Sequence, residues 1–137
     1  MKRILIFLIT LTLAFSLIGC SKESNKTVFD TIRNSAVAKL ELPNESFAYV
    51  DSEIASLRSF ADLDLMETTL EPADNESDWI YRIIFNPSEK VKNNDEIIVS
   101  FHEKYIQIGS EYYLTAEGVE FDSVLEWVSS KFDYFVK

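Results

Sequence analysis

Between Trp79 and Thr115 the chain changes character every second residue, and this alternation restricts its fold more than any other feature. In WIYRIIFN, Trp79, Tyr81, Ile83 and Phe85 fall on one side of an extended chain, and Ile80, Arg82, Ile84 and Asn86 on the other. A period of two sends successive side chains to opposite faces of a strand. One side is aromatic and apolar and the other only half apolar, the pattern of an interior strand covered on one face. Pro87 has no amide hydrogen for a ladder and ends the strand. EIIVSFH and YIQIGSEYYLT extend the pattern, with reversals near Glu103-Lys104 and Gly109-Ser110. Gly109 supplies the positive φ that a tight turn needs.

The same reading runs upstream. AVAKLEL sets Ala36, Ala38, Leu40 and Leu42 against Lys39 and Glu41, which predicts a strand that Pro43-Asn44 closes. TVFDTIRNS before it places Val28, Phe29 and Ile32 on one face of a short helix, and one long helix from Thr27 to Leu42 is the competing expectation. SFAYV is a second strand. Asp51 or Ser52 then caps a helix over Glu53 to Ala61, with Ile54, Leu57 and Ala61 as its core stripe. LDLMETTLE reads as a strand and EPADNESD as an acidic connection. In the closing FDSVLEWVSSKFDYF, Phe121, Val124, Leu125, Val128, Phe132 and Phe135 follow helical spacing, and Ser123 with Glu126 is a capping-box pair. The order is strand, strand, helix, four strands, helix, with a short helix in front. Hairpin-linked strands with helices on one side imply α+β: a mainly antiparallel β-sheet meander with a short central helix and a C-terminal helix packed on one face.

The first residues carry an address. Lys2 and Arg3 precede an uncharged apolar run from Ile4 to Ile18, the layout of a secretory signal. The run is shorter than the roughly 20 residues of a spanning helix. Leu17, Ile18, Gly19 and Cys20 follow, and these four residues resemble the lipobox of bacterial lipoproteins. The resemblance implies cleavage between Gly19 and Cys20 and a diacylglyceryl group on the Cys20 thiol. Two acyl chains hold a protein on a membrane where one holds it marginally. The expected divisions are a signal peptide over 1–19, a lipidated Cys and flexible tether over 20–26, and a single globular domain over 27–137. The expected location is the cell membrane, lipid-anchored, facing outside the cytoplasm. Cys20 is the only cysteine, so its modification leaves no thiol for disulfides or catalysis.

Charge narrows the partners. The chain carries −10, and loss of Lys2 and Arg3 leaves 11 basic against 23 acidic residues, or −12. Such a domain is repelled by nucleic acid, so no nucleic-acid partner is expected. The acids are dispersed, which suits solubility more than a dedicated acidic face.

Catalytic patterns are sparse. His102 is the only histidine, and HEKY lacks the second histidine of a zinc helix. Asp74, Glu76 and Asp78 match the first positions of a calcium loop, but Trp79 stands where its glycine belongs and Phe85 where its last acid belongs. No phosphate loop, dinucleotide fingerprint or nucleophile elbow is present. No metal or cofactor is expected. The remaining candidates are aromatic: Tyr105, Tyr112, Tyr113, Trp127 and Tyr134 do not all fit inside a core of this size. Tyr112 and Tyr113 are neighbours on a strand and point to opposite faces, and Trp127 lies off the helical stripe. Tyr112, Tyr113 and Trp127 are therefore the candidate binding surface.

WIYRIIFNPSEK, YIQIGSEYYLTAEGV and FDSVLEWVSSKFDYF give residues 27–136 a second resemblance, to small lipoproteins of Gram-positive, clostridia-like bacteria. That group has no assigned activity, so the resemblance implies fold and location and adds no site. The leading expectation is a non-enzymatic envelope domain that binds or senses a protein or peptide. The rivals are an immunity or inhibitor lipoprotein that blocks a basic toxin or enzyme, and a small carboxylate-dependent envelope hydrolase.

Overall fold

The alternating segments pair into one open sheet. The structure, a computed structural model, describes residues 20–68, 78–92 and 95–136, with side chains from Lys26 onward. The signal-peptide and lipobox residues before Cys20, and Asp74 and Glu76 of the calcium pattern, lie outside the described residues. Strands β1 (Val37–Glu41), β2 (Phe47–Asp51), β3 (Leu65–Thr68), β4 (Tyr81–Phe85), β5 (Ile97–Phe101), β6 (Ile106–Ile108) and β7 (Glu111–Thr115) form a seven-stranded sheet in the order β2-β1-β4-β5-β6-β7-β3. Every neighbouring pair is antiparallel. Helix α1 (Cys20–Asn34), a 3-10 helix (Leu57–Asp62) and helix α2 (Phe121–Phe135) complete the architecture. The fold is α+β with an antiparallel sheet, as the alternation required. No helix among the described residues is long and apolar enough to cross a membrane.

Five strands follow the central helical segment, because YIQIGSEYYLT folds as two strands around Gly109, whose φ is +60°. β4 to β7 form the meander. β3 does not join it in sequence order: it crosses to the far edge and pairs with β7, leaving β4 to insert between β1 and β5.

The helices depart from expectation in three places. The segment read as a flexible tether is the start of α1, which is helical from Cys20. It contains no Gly or Pro, and extending a helix already nucleated by packing at Val28, Phe29 and Ile32 costs far less than starting one. The helix ends where Ser35 donates from its amide and from Oγ to the Ile32 carbonyl, at 3.2 and 2.8 Å, so no helix reaches Leu42. The helix expected over Glu53 to Ala61 is a set of turns followed by the 3-10 helix. Asp51 Oδ1 does accept from the amides of Glu53 and Ile54, at 2.8 and 3.3 Å, but Ser56 turns left-handed at φ 55°. That break shifts the phase: Leu57 and Ala61 are buried while Ile54 is 79% exposed. In α2 the capping box is not formed. Phe121 packs on the core and starts the helix early, so Ser123 lies within the first turn and its amide bonds the Glu120 carbonyl at 3.1 Å.

The core lies between the sheet and these helices. Phe60 of the 3-10 helix meets Phe85 and Phe101, ring centroids 6.3 and 5.6 Å apart. Phe132 of α2 packs on Tyr81 at 4.8 Å, and Phe29 of α1 meets Tyr113 edge-on at 5.9 Å. All four sheet partners belong to one face, so all three helical elements cover the same side.

Candidate functional site on the open sheet face

The register defines the other face. Reading across the ladder, Phe47 of β2 lies beside Glu41, then Arg82, Ser100, Gln107, Tyr112 and Thr68 of β3. This single row crosses all seven strands, about 29 Å at ~4.8 Å per strand. The next row holds Tyr49, Lys39, Ile84 and Ile98. No helix covers this face among the described residues. Five large apolar side chains on it are exposed: Phe47, Tyr49, Met66, Ile98 and Leu114. Water contact with large apolar side chains is unfavourable at roughly 25 cal/mol per Å², so a face that keeps several invites a partner.

Arg82 is the third residue of the long row, beside its central Ser100. Its guanidinium lies 4.1 Å from the Trp79 ring, its Nε donates to Ser100 Oγ at 3.3 Å, and one terminal nitrogen stands 3.9 Å from Glu41 Oε2. Glu41 also lies 3.6 Å from Lys39 Nζ, which reaches Glu89 at 3.7 Å and caps the Phe47 ring at 4.8 Å. Tyr49 donates its hydroxyl to Glu89 at 2.8 Å while Lys90 lies over its ring at 4.4 Å. That hydrogen bond to a carboxylate raises the Tyr49 pKa above the ordinary phenol value. Glu89 moves the other way, below the usual carboxylate range, held first by its own backbone amide and then by Tyr49. Toward the other edge, His102 is buried and stacks on Tyr105 at 4.3 Å, and Tyr105 meets Tyr112 edge-on at 5.6 Å. Cations held over aromatic rings beside paired carboxylates give this face donors, acceptors and apolar contact area.

The structure separates the three sequence candidates. Tyr112 belongs to the open face and is half-buried there. Tyr113 points into the core, 3% exposed, because the strand sends neighbours to opposite sides. Trp127 sits on α2, across the sheet from Tyr112, partly buried against the core with Lys131 Nζ 5.7 Å from its ring. They form no common surface. Glu41, Arg82 and Ser100 were not singled out in the sequence: alternation places each on a face, but only register puts them in one row.

Carboxylates converge elsewhere. Glu67 of β3 and Glu111 of β7 share a hydrogen bond that holds the Glu111 carboxyl above its ordinary range. Burial, with these two charges nearby, pushes the Tyr113 phenol up to about 12. Hydrogen-bonded carboxyls stand closer than the ~5 Å of a retaining glycosidase pair. Of the described clefts, one of about 340 Å³ touches the open face at Ile98, and two others lie away from the long row. One of about 390 Å³ is lined by Thr27, Asp30, Thr31, Asn34, Asn86 and Asp95. Another, of about 330 Å³, lies between Ile54 and Tyr134. No group of three or more metal-binding side chains occurs among the described residues.

Compared with known families, curated proteins and solved structures, the chain matches none. Its class is therefore set by architecture alone: an antiparallel α+β domain whose described helices all lie on one side of the sheet. The more particular description is a second face, free of helices among the described residues, crossed by one polar row with an aromatic ring near each end.

Proposed function

We propose that this chain is a lipid-anchored, extracytoplasmic binding domain that receives a protein or peptide partner on the open face of its sheet. One observation carries the binding part: Phe47, Tyr49, Met66, Ile98 and Leu114 are exposed together on the face that no described helix covers. The anchor rests on the basic start, the apolar run and the lipobox ending in Cys20. The immunity reading draws on the −10 charge, but the long row mixes Arg82 with Glu41 and gives no purely acidic surface.

Two measurements test the two parts. Cys20→Ala should leave the precursor uncleaved and without incorporated lipid label, and a labelled mutant would refute the anchor. A photo-crosslinking residue at Ile98 should give a reproducible adduct in intact cells, while one at Glu126, exposed on α2, should not. Equal adducts at both positions, or none at Ile98, would refute the face.

A further inference from the structure

The two edges of the sheet are built differently. At β3, the Ala116 amide donates to the Asp64 carbonyl at 2.8 Å, which fixes the ladder so that the backbone of Leu65 and Glu67 points away from β7. That outward side carries the Glu67 charge with Glu111 hydrogen-bonded beside it. Charge on an edge discourages another chain from pairing there.

At β2 the hairpin bonds from the Leu42 amide to the Ser46 carbonyl (2.9 Å) and from the Ser52 amide to the Ala36 carbonyl (3.0 Å) turn the even-numbered residues toward β1. The N–H and C=O groups of Phe47 and Tyr49 therefore point outward from the last strand of the sheet. Among the described residues no hydrogen bond meets them. The strand FAYVD contains no proline and no glycine, its one charge is the terminal Asp51, and no bulge interrupts its register. Beside these backbone groups stand the exposed rings of Phe47 and Tyr49, in edge-on contact at 5.5 Å. Acids mark both ends: Glu45 in the turn before the strand, Asp51 as its last residue and Glu53 just after it, all exposed, with Glu53 3.8 Å from the Arg58 guanidinium.

We infer that β2 is the docking edge for an extended peptide segment of the partner, which adds to the sheet as an eighth strand. The inference rests on the binding-domain reading above and names how the partner is held. Backbone hydrogen bonds to Phe47 and Tyr49 require an extended occupant, and the five residues of β2 match a segment of about 17 Å. Alternate apolar side chains of that segment continue the open face beside the Phe47 and Tyr49 rings. Basic residues at its two ends meet Glu45 at one end and Asp51 and Glu53 at the other. A second copy of this chain is the less fitting occupant, because like charge of −10 on each copy opposes pairing.

The test uses the mature chain and an acetylated, amidated peptide, Lys-Val-Thr-Val-Thr-Val-Lys. Residue-resolved hydrogen exchange should show the Phe47 and Tyr49 amides slowed at least ~10-fold by the peptide, while the amides of β3 keep their rates. Tyr49→Pro removes an outward amide without touching the β1 ladder and should weaken binding at least ~10-fold with an unchanged circular dichroism spectrum. A peptide N-methylated on the amides that face β2 should not protect, a control independent of how Tyr49→Pro folds. No protection at millimolar peptide overturns the inference, as does full binding by the N-methylated peptide. Protection of Phe47 and Tyr49 that rises with protein concentration in the absence of peptide assigns the edge to a second copy and overturns the partner. Peptide protection at Tyr49 with no adduct at Ile98 keeps the edge and removes the open-face reading. An adduct at Ile98 with no protection at Tyr49 does the reverse.

Discussion

The two faces of the sheet use the same strands under opposite rules. On the covered side, Val50, Ala38, Phe85 and Ile97 line up across four strands, and the next row runs through Leu40, Ile83, Val99 and Ile108. Nothing polar interrupts either run, because any group there faces the helices and has no water to bond. On the side that no described helix covers, the middle of the row is Glu41, Arg82, Ser100 and Gln107, with Ser100 buried under its neighbours and the other three in partial contact with water. Folding explains polar groups on a wet face. It does not explain why Ile98, Leu114 and Met66 stay beside them. Covered positions report what the fold needs, and the exposed apolar positions on the other side are what the proposed binding reading rests on.

Substitutions should divide along the same line. Phe101→Ala, at a fully buried ring in contact with Phe60, should destabilise by about 3–5 kcal/mol in urea unfolding. If the loss is below ~1 kcal/mol, the covered face is not the core. Ile98→Lys, three strand spacings from β2 and 40% exposed, should change stability by no more than about 0.5 kcal/mol yet abolish partner capture. A large loss of stability there would mean that the fold itself uses the bare face.

Tyrosines sharpen the contrast through pH. Tyr113 holds its proton up to about 12 in the folded chain, against an ordinary value of 10. The unfolded chain then loses its phenol proton first, so stability is complete below pH ~10 and falls as pH rises from there toward 12. Ultraviolet titration near 295 nm should show one phenol ionising only with unfolding. A titration in which every tyrosine ionises near 10 in the folded state would contradict the burial of Tyr113. Arg82→Ala removes the contacts to Trp79 and Ser100 from a half-exposed site and should cost about 1 kcal/mol or less. Its clearer signature is a shift in Trp79 fluorescence, with Trp127 as the unaffected background. The smallest effect is local: Glu67→Gln should let the Glu111 pKa fall toward its ordinary range in a carboxyl NMR titration. An unmoved Glu111 would mean that the two acids do not meet.

Local pattern carried much of this architecture. Tyr81, Ile83 and Phe85 announce their shared face because the strand period is a property of the backbone, and Val124, Val128 and Phe132 do the same for α2. Ile54, Leu57 and Ala61 misled because their spacing fits a helix whether or not the backbone stays right-handed at Ser56. Adjacency between distant strands was not legible. Nothing near Arg82 says that Glu41 and Ser100 will flank it, and nothing in LMET says that it will cross to β7. Pairing choice depends on the whole set of strands, so the row that defines the candidate site appears only with the register.

Helix α1 begins at Cys20, and Val28 is the first of its described side chains packed on the core. The eight residues from Cys20 to Thr27 span about 12 Å as helix at 1.5 Å per residue. A coil of the same length would let the domain roam a hemisphere above its attachment point. A helix confines it to a narrow height and a limited set of tilts. With the lipid on Cys20 as proposed, β2 and the bare face are held at a set distance from the bilayer.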